Sequence, residues 1–221
     1  MSTTGSTPSE ILLAPIAVYY AGKLAAHGAT AAGVDWRSED SQTLRFRQLA
    51  RICEEPARYS FIDYGCGYGA LAPYLRQAGL LEQYVGYDVA PEMVHAATTL
   101  HAERDCRFTS RRDALEAADF TLASGIFNVK LETPTEEWSD HVLRTLDDLA
   151  ALSRQGFAFN ALTSYSDAAR QRPDLYYADP CRLFDWCKRR FSRFVTLLHD
   201  YPLWEFTMLV RLDSQDGAGR G

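Results

Sequence analysis

The run Asp63-Tyr-Gly-Cys-Gly-Tyr-Gly69 constrains this chain more than any other stretch of it. Ahead of it, Tyr59-Ser-Phe-Ile-Asp63 is a short apolar segment of strand character that ends in an acid. Behind it, residues 70–80 can form a helix that stops near Gly79. Glycine at every second position between strand and helix suits a backbone that must turn tightly and let a ligand lie against it, where a Cβ would clash. A second strand, Tyr84-Val-Gly-Tyr-Asp88, also ends in an acid. It stands about 20 residues beyond the glycines, where a carboxylate can accept from the hydroxyls of a ribose. Glycine loops alone are common. A loop flanked by two such acids in one strand–helix–strand unit is specific.

The remainder of the chain repeats the alternation. Pro91 suits the first position of a helix running to about residue 102, with Met93, Val94, Ala97 and Leu100 on one side. Residues 107–109 form a weak third strand and residues 119–124 a fourth. Residues 138–153 read as an amphipathic helix carrying Val142, Leu146 and Leu149. Gly156-Phe-Ala-Phe-Asn-Ala-Leu162 is apolar enough for a strand buried on both faces. Asp179-Pro180 makes an N-cap and first turn for a helix through Phe191. Residues 194–198 and 205–212 are two more strands, and the short link between them cannot hold a crossover helix, so they pair antiparallel. The fold class is therefore α/β: a doubly wound, seven-stranded, mostly parallel sheet with a terminal antiparallel hairpin. Two helices joined near residues 28–36 precede it as a helical N-terminal extension. The expected organisation is an extension or lid over residues 1–57, one domain over residues 58–213 and a flexible tail over residues 214–221. Residues 1–9 and the tail from 213 onward are expected to be loose.

The glycine spacing discriminates between nucleotides. Dinucleotide sites use G-x-G-x-x-G to aim a helix N-terminus at a pyrophosphate. Here the spacing is G-x-G-x-G, and Asp63 stands immediately before it. A carboxylate at that place repels phosphate and attracts a cationic α-amino group. S-adenosylmethionine carries such a group where a dinucleotide carries phosphates.

Asp63-Tyr-Gly-Cys-Gly-Tyr-Gly69 resembles the first motif of the class I S-adenosylmethionine-dependent methyltransferases, and Tyr87-Asp-Val-Ala-Pro-Glu-Met93 resembles their second. The resemblance covers roughly residues 58–213. It implies that Asp63 and the backbone around Gly65 and Cys66 hold the methionine end, that Gly67 lets the cofactor lie close, and that Asp88 binds the ribose. It implies further that Val89 and Met93 pack against adenine and that Asp113 accepts from the adenine amino group, unless Asp113 simply caps a helix. Ala90 stands where the family often has Ser, which weakens the N-cap of the following helix. In Ser124-Gly-Ile-Phe-Asn-Val-Lys130, Ser124 falls beside the cofactor and Asn128 is a candidate to orient the acceptor. This segment is not the Asn-Pro-Pro-Tyr type of many DNA and protein-glutamine methyltransferases, which argues against flipped bases or amides as acceptors.

A sulfonium is an activated donor, so a base is required only if the acceptor must lose a proton. His141 and His199 are the candidates, each with a structural role as the alternative. Tyr20, Trp36 and Arg45 in the extension, and Tyr177 in a long loop over residues 163–179, are candidate substrate contacts. Ordinary packing is the other reading of each.

Net charge of −6 with no dense basic stripe disfavours nucleic acid. The five cysteines are odd in number and form no C-x-x-C pair, which suggests neither disulfides nor a zinc site but a reducing compartment. The apolar opening over residues 11–22 is too short for a bilayer and lacks a preceding cation, so no membrane partner and a cytoplasmic location are expected. The expected activity is methyl transfer to oxygen or nitrogen of a small molecule by a monomer or homodimer. An NAD(P)-dependent oxidoreductase and a non-catalytic S-adenosylmethionine-binding module are the alternatives.

Overall fold

The computed structural model describes residues 8–213. Its order is α1 (Pro8–His27), α2 (Glu39–Ala50), β1 (Tyr59–Tyr64), α3 (Leu71–Gln77), β2 (Leu81–Tyr87), α4 (Pro91–Leu100), β3 (Cys106–Thr109), β4 (Ala118–Ala123), α5 (Thr135–Ala151), β5 (Ser153–Leu162), α6 (Pro180–Arg190), β6 (Phe194–Leu198) and β7 (Glu205–Arg211). The expected looseness of residues 1–7 and 214–221 lies outside the described residues. Pro8 and Ser9, expected to be loose, belong to α1.

The seven strands run β3-β2-β1-β4-β5-β7-β6. β1 through β5 are parallel, while β7 is antiparallel to both β5 and β6. Successive strands step outward from β1 to β3, and the chain then returns to lay β4 on the other side of β1. That reversal opens a crevice at the carboxyl ends of β1 and β4, the place where such sheets bind ligands. The fold is the expected doubly wound sheet with its terminal hairpin and its preceding helices.

Alternation along β1 divides the interior. Phe61 faces one apolar cluster with Phe46, Leu49 and Ile52 from the α2 segment and Leu71 and Leu75 of α3. Ile62 and Tyr64 face the other, with Trp138, Val142 and Leu146 of α5 and Leu183 and Cys187 of α6. Strand side chains alternate between faces, so this register commits each residue to one layer. Trp138 is fully buried, and its indole N–H donates to the carbonyl of Phe127 at 2.9 Å, which ties α5 to the segment after β4.

Boundaries moved where polar residues disguise a strand. β2 begins at Leu81, ahead of the expected Tyr84, because Tyr59 and Leu81 pair across the sheet even though Glu82 and Gln83 point outward. Ser153 starts β5 rather than ending α5, since it pairs with Ala118 while Arg154 bonds the Ala117 carbonyl. The Asp179 side chain caps α6 as expected, accepting from Cys181 and Arg182. Among the described residues no helix is long and apolar enough to cross a membrane.

Candidate active site

A cavity of about 950 Å³, its open mouth included, sits over the crevice between β1 and β4. Its floor is built from strand ends. Asp63 is buried, and its carboxylate accepts a short hydrogen bond from the hydroxyl of Tyr84 on the neighbouring strand. Burial pushes its carboxyl up to about 7; the Tyr84 hydrogen bond pulls the other way, and the nearby Asp88 charge adds to the rise. Asp88 is also buried. Its Oδ2 accepts from the Gly67 amide at 2.8 Å and its Oδ1 from the Ala90 amide at 2.9 Å. The second bond fixes the turn that leads into α4, whose N-cap Ala90 makes no side-chain cap bond. Two of the four lone-pair sites of this carboxylate are thereby used, and Asp88 is among the residues that line the cavity. Gly67 has φ +53°, and a Cβ there would come 2.9 Å from Val34. At the end of β4 the Ser124 hydroxyl is buried in the cavity wall with no partner among the described residues.

The roof comes from the segment ahead of β1. Leu13, Ile16 and Tyr20 of α1 line the cavity, as do Val34 and Trp36 of the following turn and Gln42 and Phe46 of α2. Asp35, at φ +62°, accepts from Tyr19 and pairs with Lys23 at 2.6 Å, which pins the turn to α1. Next to it, the Trp36 ring lies over Gly125. A Cβ at Gly125 would sit 2.2 Å from the indole. The outer face of that ring carries the Arg45 guanidinium, 3.9 Å from the centroid. Arg45 is buried and bonded by two nitrogens to buried Glu205 of β7. Glu205 accepts from the Asn160 amide at 3.5 Å, and the Asn160 oxygen accepts from the Gly125 N–H at 2.6 Å. Roof, β4 loop and sheet are thus joined in one closed set of contacts.

A family model described as a methyltransferase domain matches residues 35–194, most of the chain. A protein of Mycobacterium tuberculosis named as a methyltransferase (Rv1506c) is 54% identical over 164 residues, which cover 73% of this chain and 98% of that one. The chain belongs to the S-adenosylmethionine-dependent methyltransferases. Solved structures share the fold. The N-methyltransferase NodS of Bradyrhizobium japonicum superposes with a TM-score of 0.58 at 14% identity over 80% of this chain and 91% of that one. The magnesium protoporphyrin IX methyltransferase of Synechocystis reaches 0.52 at 15% identity over 95% and 86%. DhpI in its SAH complex reaches 0.62 at 14% identity over 91% and 98%. Family membership removes the NAD(P)-dependent oxidoreductase from consideration.

Within this methyltransferase the cavity brings together Asp63, Gly65, Cys66, Gly67, Asp88, Val89, Met93, Ser124, His141, Tyr20 and Trp36. Five expected residues stand elsewhere. Asp113 lies in a single turn of 3₁₀ helix, its side chain 71% exposed and bonded to Arg111, which captures it from two residues away. Asn128 is buried outside the cavity, where its oxygen accepts from the Leu162 amide and fastens the β4 segment to β5. His199 is exposed at the end of β6 beside Tyr165. Arg45 is engaged by Glu205 and supports Trp36 from behind. Tyr177 receives the Arg172 amide and anchors its own loop, and no residue of the loop 163–179 lines the cavity. Asn160 and Glu205 escaped sequence reasoning entirely, since an apolar strand and a β-hairpin give no sign of which polar residue turns inward. Gln42, Tyr68 and Thr145 were missed as well; Tyr68 donates to Gln42 at 3.0 Å.

Proposed function

We propose that this methyltransferase moves the methyl group of S-adenosylmethionine to an oxygen or nitrogen of a small molecule, within a cavity roofed by its own segment ahead of β1. The observation that carries this reading is the pairing of two buried carboxylates, at the ends of β1 and β2, with a glycine turn that a Cβ would fill. The residues fit the group. Asp63 offers a negative charge to the ammonium of the methionine end, Asp88 has free lone pairs for ribose hydroxyls, and the unpartnered Ser124 hydroxyl awaits a polar ligand atom. Bound there, S-adenosylmethionine supplies a methyl group already activated by its sulfonium. Solved proteins that share the fold include one with S-adenosylmethionine bound.

What the chain contributes is placement. Trp36, Gln42, Phe46 and Tyr68 enclose the methionine end and keep water out, and in-line positioning can supply much of the rate. His141 is no effective base: burial pushes its imidazole down to about 4, so it is neutral at physiological pH and a weak acceptor of protons. The reading is a small-molecule enzyme of a reducing cytoplasm, where its five cysteines stay as free thiols. Release of S-adenosylhomocysteine over a panel of small hydroxyl and amine acceptors tests it. Turnover confined to macromolecular acceptors would refute it.

Two further results are expected. S-Adenosylhomocysteine affinity should rise with pH up to about 7 and then level off, because the cationic amino group selects the ionised form of Asp63. Below that pH the protein must release a proton to bind, and affinity drops toward tenfold per unit. The free protein shows the opposite trend. A carboxyl raised by folding favours the folded state most below its ordinary range, and that contribution disappears as pH rises through about 7. Tyr84→Phe removes the hydrogen bond to the ionised form and should move the binding midpoint upward; calorimetry across pH 5.5–8.5 on the ~1-unit scale of such shifts reads it. The second result concerns Gly125→Ala. Its Cβ would strike the Trp36 ring, and φ +76° adds strain, so the roof cannot close and affinity should fall by about tenfold or more. An unaltered dissociation constant would show that Trp36 does not cover the site.

A further inference from the structure

Asp113, the acid that the resemblance assigns to the adenine amino group, is turned into solvent and bound to Arg111 at 2.7 Å, so the base of the donor must find other partners. Asp88 indicates where that base lies. A ribose held at the end of β2 directs the base toward the residues that follow the strand, Val89 and Met93 at the start of α4, and both line the cavity. The same cavity is bounded on its other side by α5. His141 and Thr145 of that helix are four residues apart and therefore project from one face. Both are buried, and both line the cavity. Neither side chain enters a hydrogen bond among the described residues, and neither holds a sealed polar atom of the kind Ser124 does, so their polar atoms stay open to a ligand in the cavity that both line. The rings of Tyr64 and Tyr87, 4.8 Å apart at the ends of β1 and β2, belong to the same apolar cluster as Trp138 and Val142 and line the same cavity as His141 and Thr145. The His141 ring is itself held against Trp138, 5.0 Å away, and so has a defined orientation.

We propose that His141 and Thr145 read the polar edge of the adenine ring of S-adenosylmethionine, in the place of an acid after β3. A neutral imidazole offers one donor and one acceptor, and a threonine hydroxyl can act as either. Between them they can accept from the exocyclic amino group and donate to a ring nitrogen. Val89 and Met93 supply the apolar faces. This inference rests on the proposed donor site at Asp63 and Asp88, and it gives His141 a binding duty in place of proton transfer.

Calorimetric titration of the full chain with S-adenosylhomocysteine and with S-inosylhomocysteine, in which oxygen replaces the amino group, tests it. The unmodified chain should prefer the adenine form by about tenfold or more, since the mismatched edge leaves buried groups unpaired. Thr145→Val keeps shape and volume, and His141→Phe keeps an aromatic ring of somewhat larger size. Each should weaken S-adenosylhomocysteine by about tenfold and shrink the preference over the inosine form. Asp113→Ala should leave both constants unchanged. Near-ultraviolet circular dichroism identifies any variant that has lost its packing, and Thr145→Val, close to isosteric, decides the matter if His141→Phe fails to fold. A preference that survives both substitutions, or that vanishes in Asp113→Ala, overturns the adenine assignment and leaves the donor site standing. A chain that binds neither compound overturns the donor site and this inference with it.

Discussion

Asp88→Ala is expected to weaken S-adenosylhomocysteine binding by about tenfold to a hundredfold while leaving the sheet intact. The carboxylate has two duties. It accepts from the Gly67 and Ala90 amides, which shapes the glycine turn and starts α4, and it lines the cavity where its unused lone pairs are proposed to meet the ribose. Hydrogen bonds to a charged group contribute about 1.5–3 kcal/mol, which corresponds to the range stated. Asp88→Asn separates the duties. Its amide keeps one acceptor for a backbone N–H and sets a donor against the other, so it should bind better than alanine and worse than aspartate. Asp113→Ala serves as the control, because its side chain is exposed and paired with Arg111. Calorimetry that gives Asp88→Ala an unchanged affinity would remove the ribose from the end of β2.

The floor of the site was legible because it is local. A strand that must turn at once into a helix around a ligand needs glycine within a few residues, and the acids at 63 and 88 sit at strand ends that the apolar runs already mark. Side-chain direction was not legible. Asp113 matches the family by position, yet Arg111 two residues before it turns the carboxylate outward. Asn128 stands near the expected place and spends its oxygen on the Leu162 amide. The roof was legible only as a concentration of aromatic and polar residues ahead of β1. Which of them face the cavity depends on contacts across the fold, such as the pair between Arg45 and Glu205, 160 residues apart. Periodicity shows that a helix has a buried side, and it does not show that a guanidinium lies on it.

That pair leads to the largest expected change in stability. Arg45→Met should lower the melting temperature by about 6–20 °C, because it strands Glu205 in the interior without a counter-charge. Breaking a buried pair on one side costs about 3–5 kcal/mol, and 1 kcal/mol moves a chain of this size by about 2–4 °C. The double variant Arg45→Met, Glu205→Leu should regain most of that loss, since apolar replacements of a buried pair are often neutral or better. Affinity for S-adenosylhomocysteine should not recover with it. In the double variant Trp36 has no guanidinium behind its ring, and the Asn160 amide has lost its acceptor while its oxygen still holds the Gly125 N–H. Calorimetric binding and thermal melting on the three proteins separate the two effects. Parallel recovery of both would mean that the pair serves the fold alone. Recovery of melting without recovery of binding would mean that the charges are kept to hold the roof over the glycine turn.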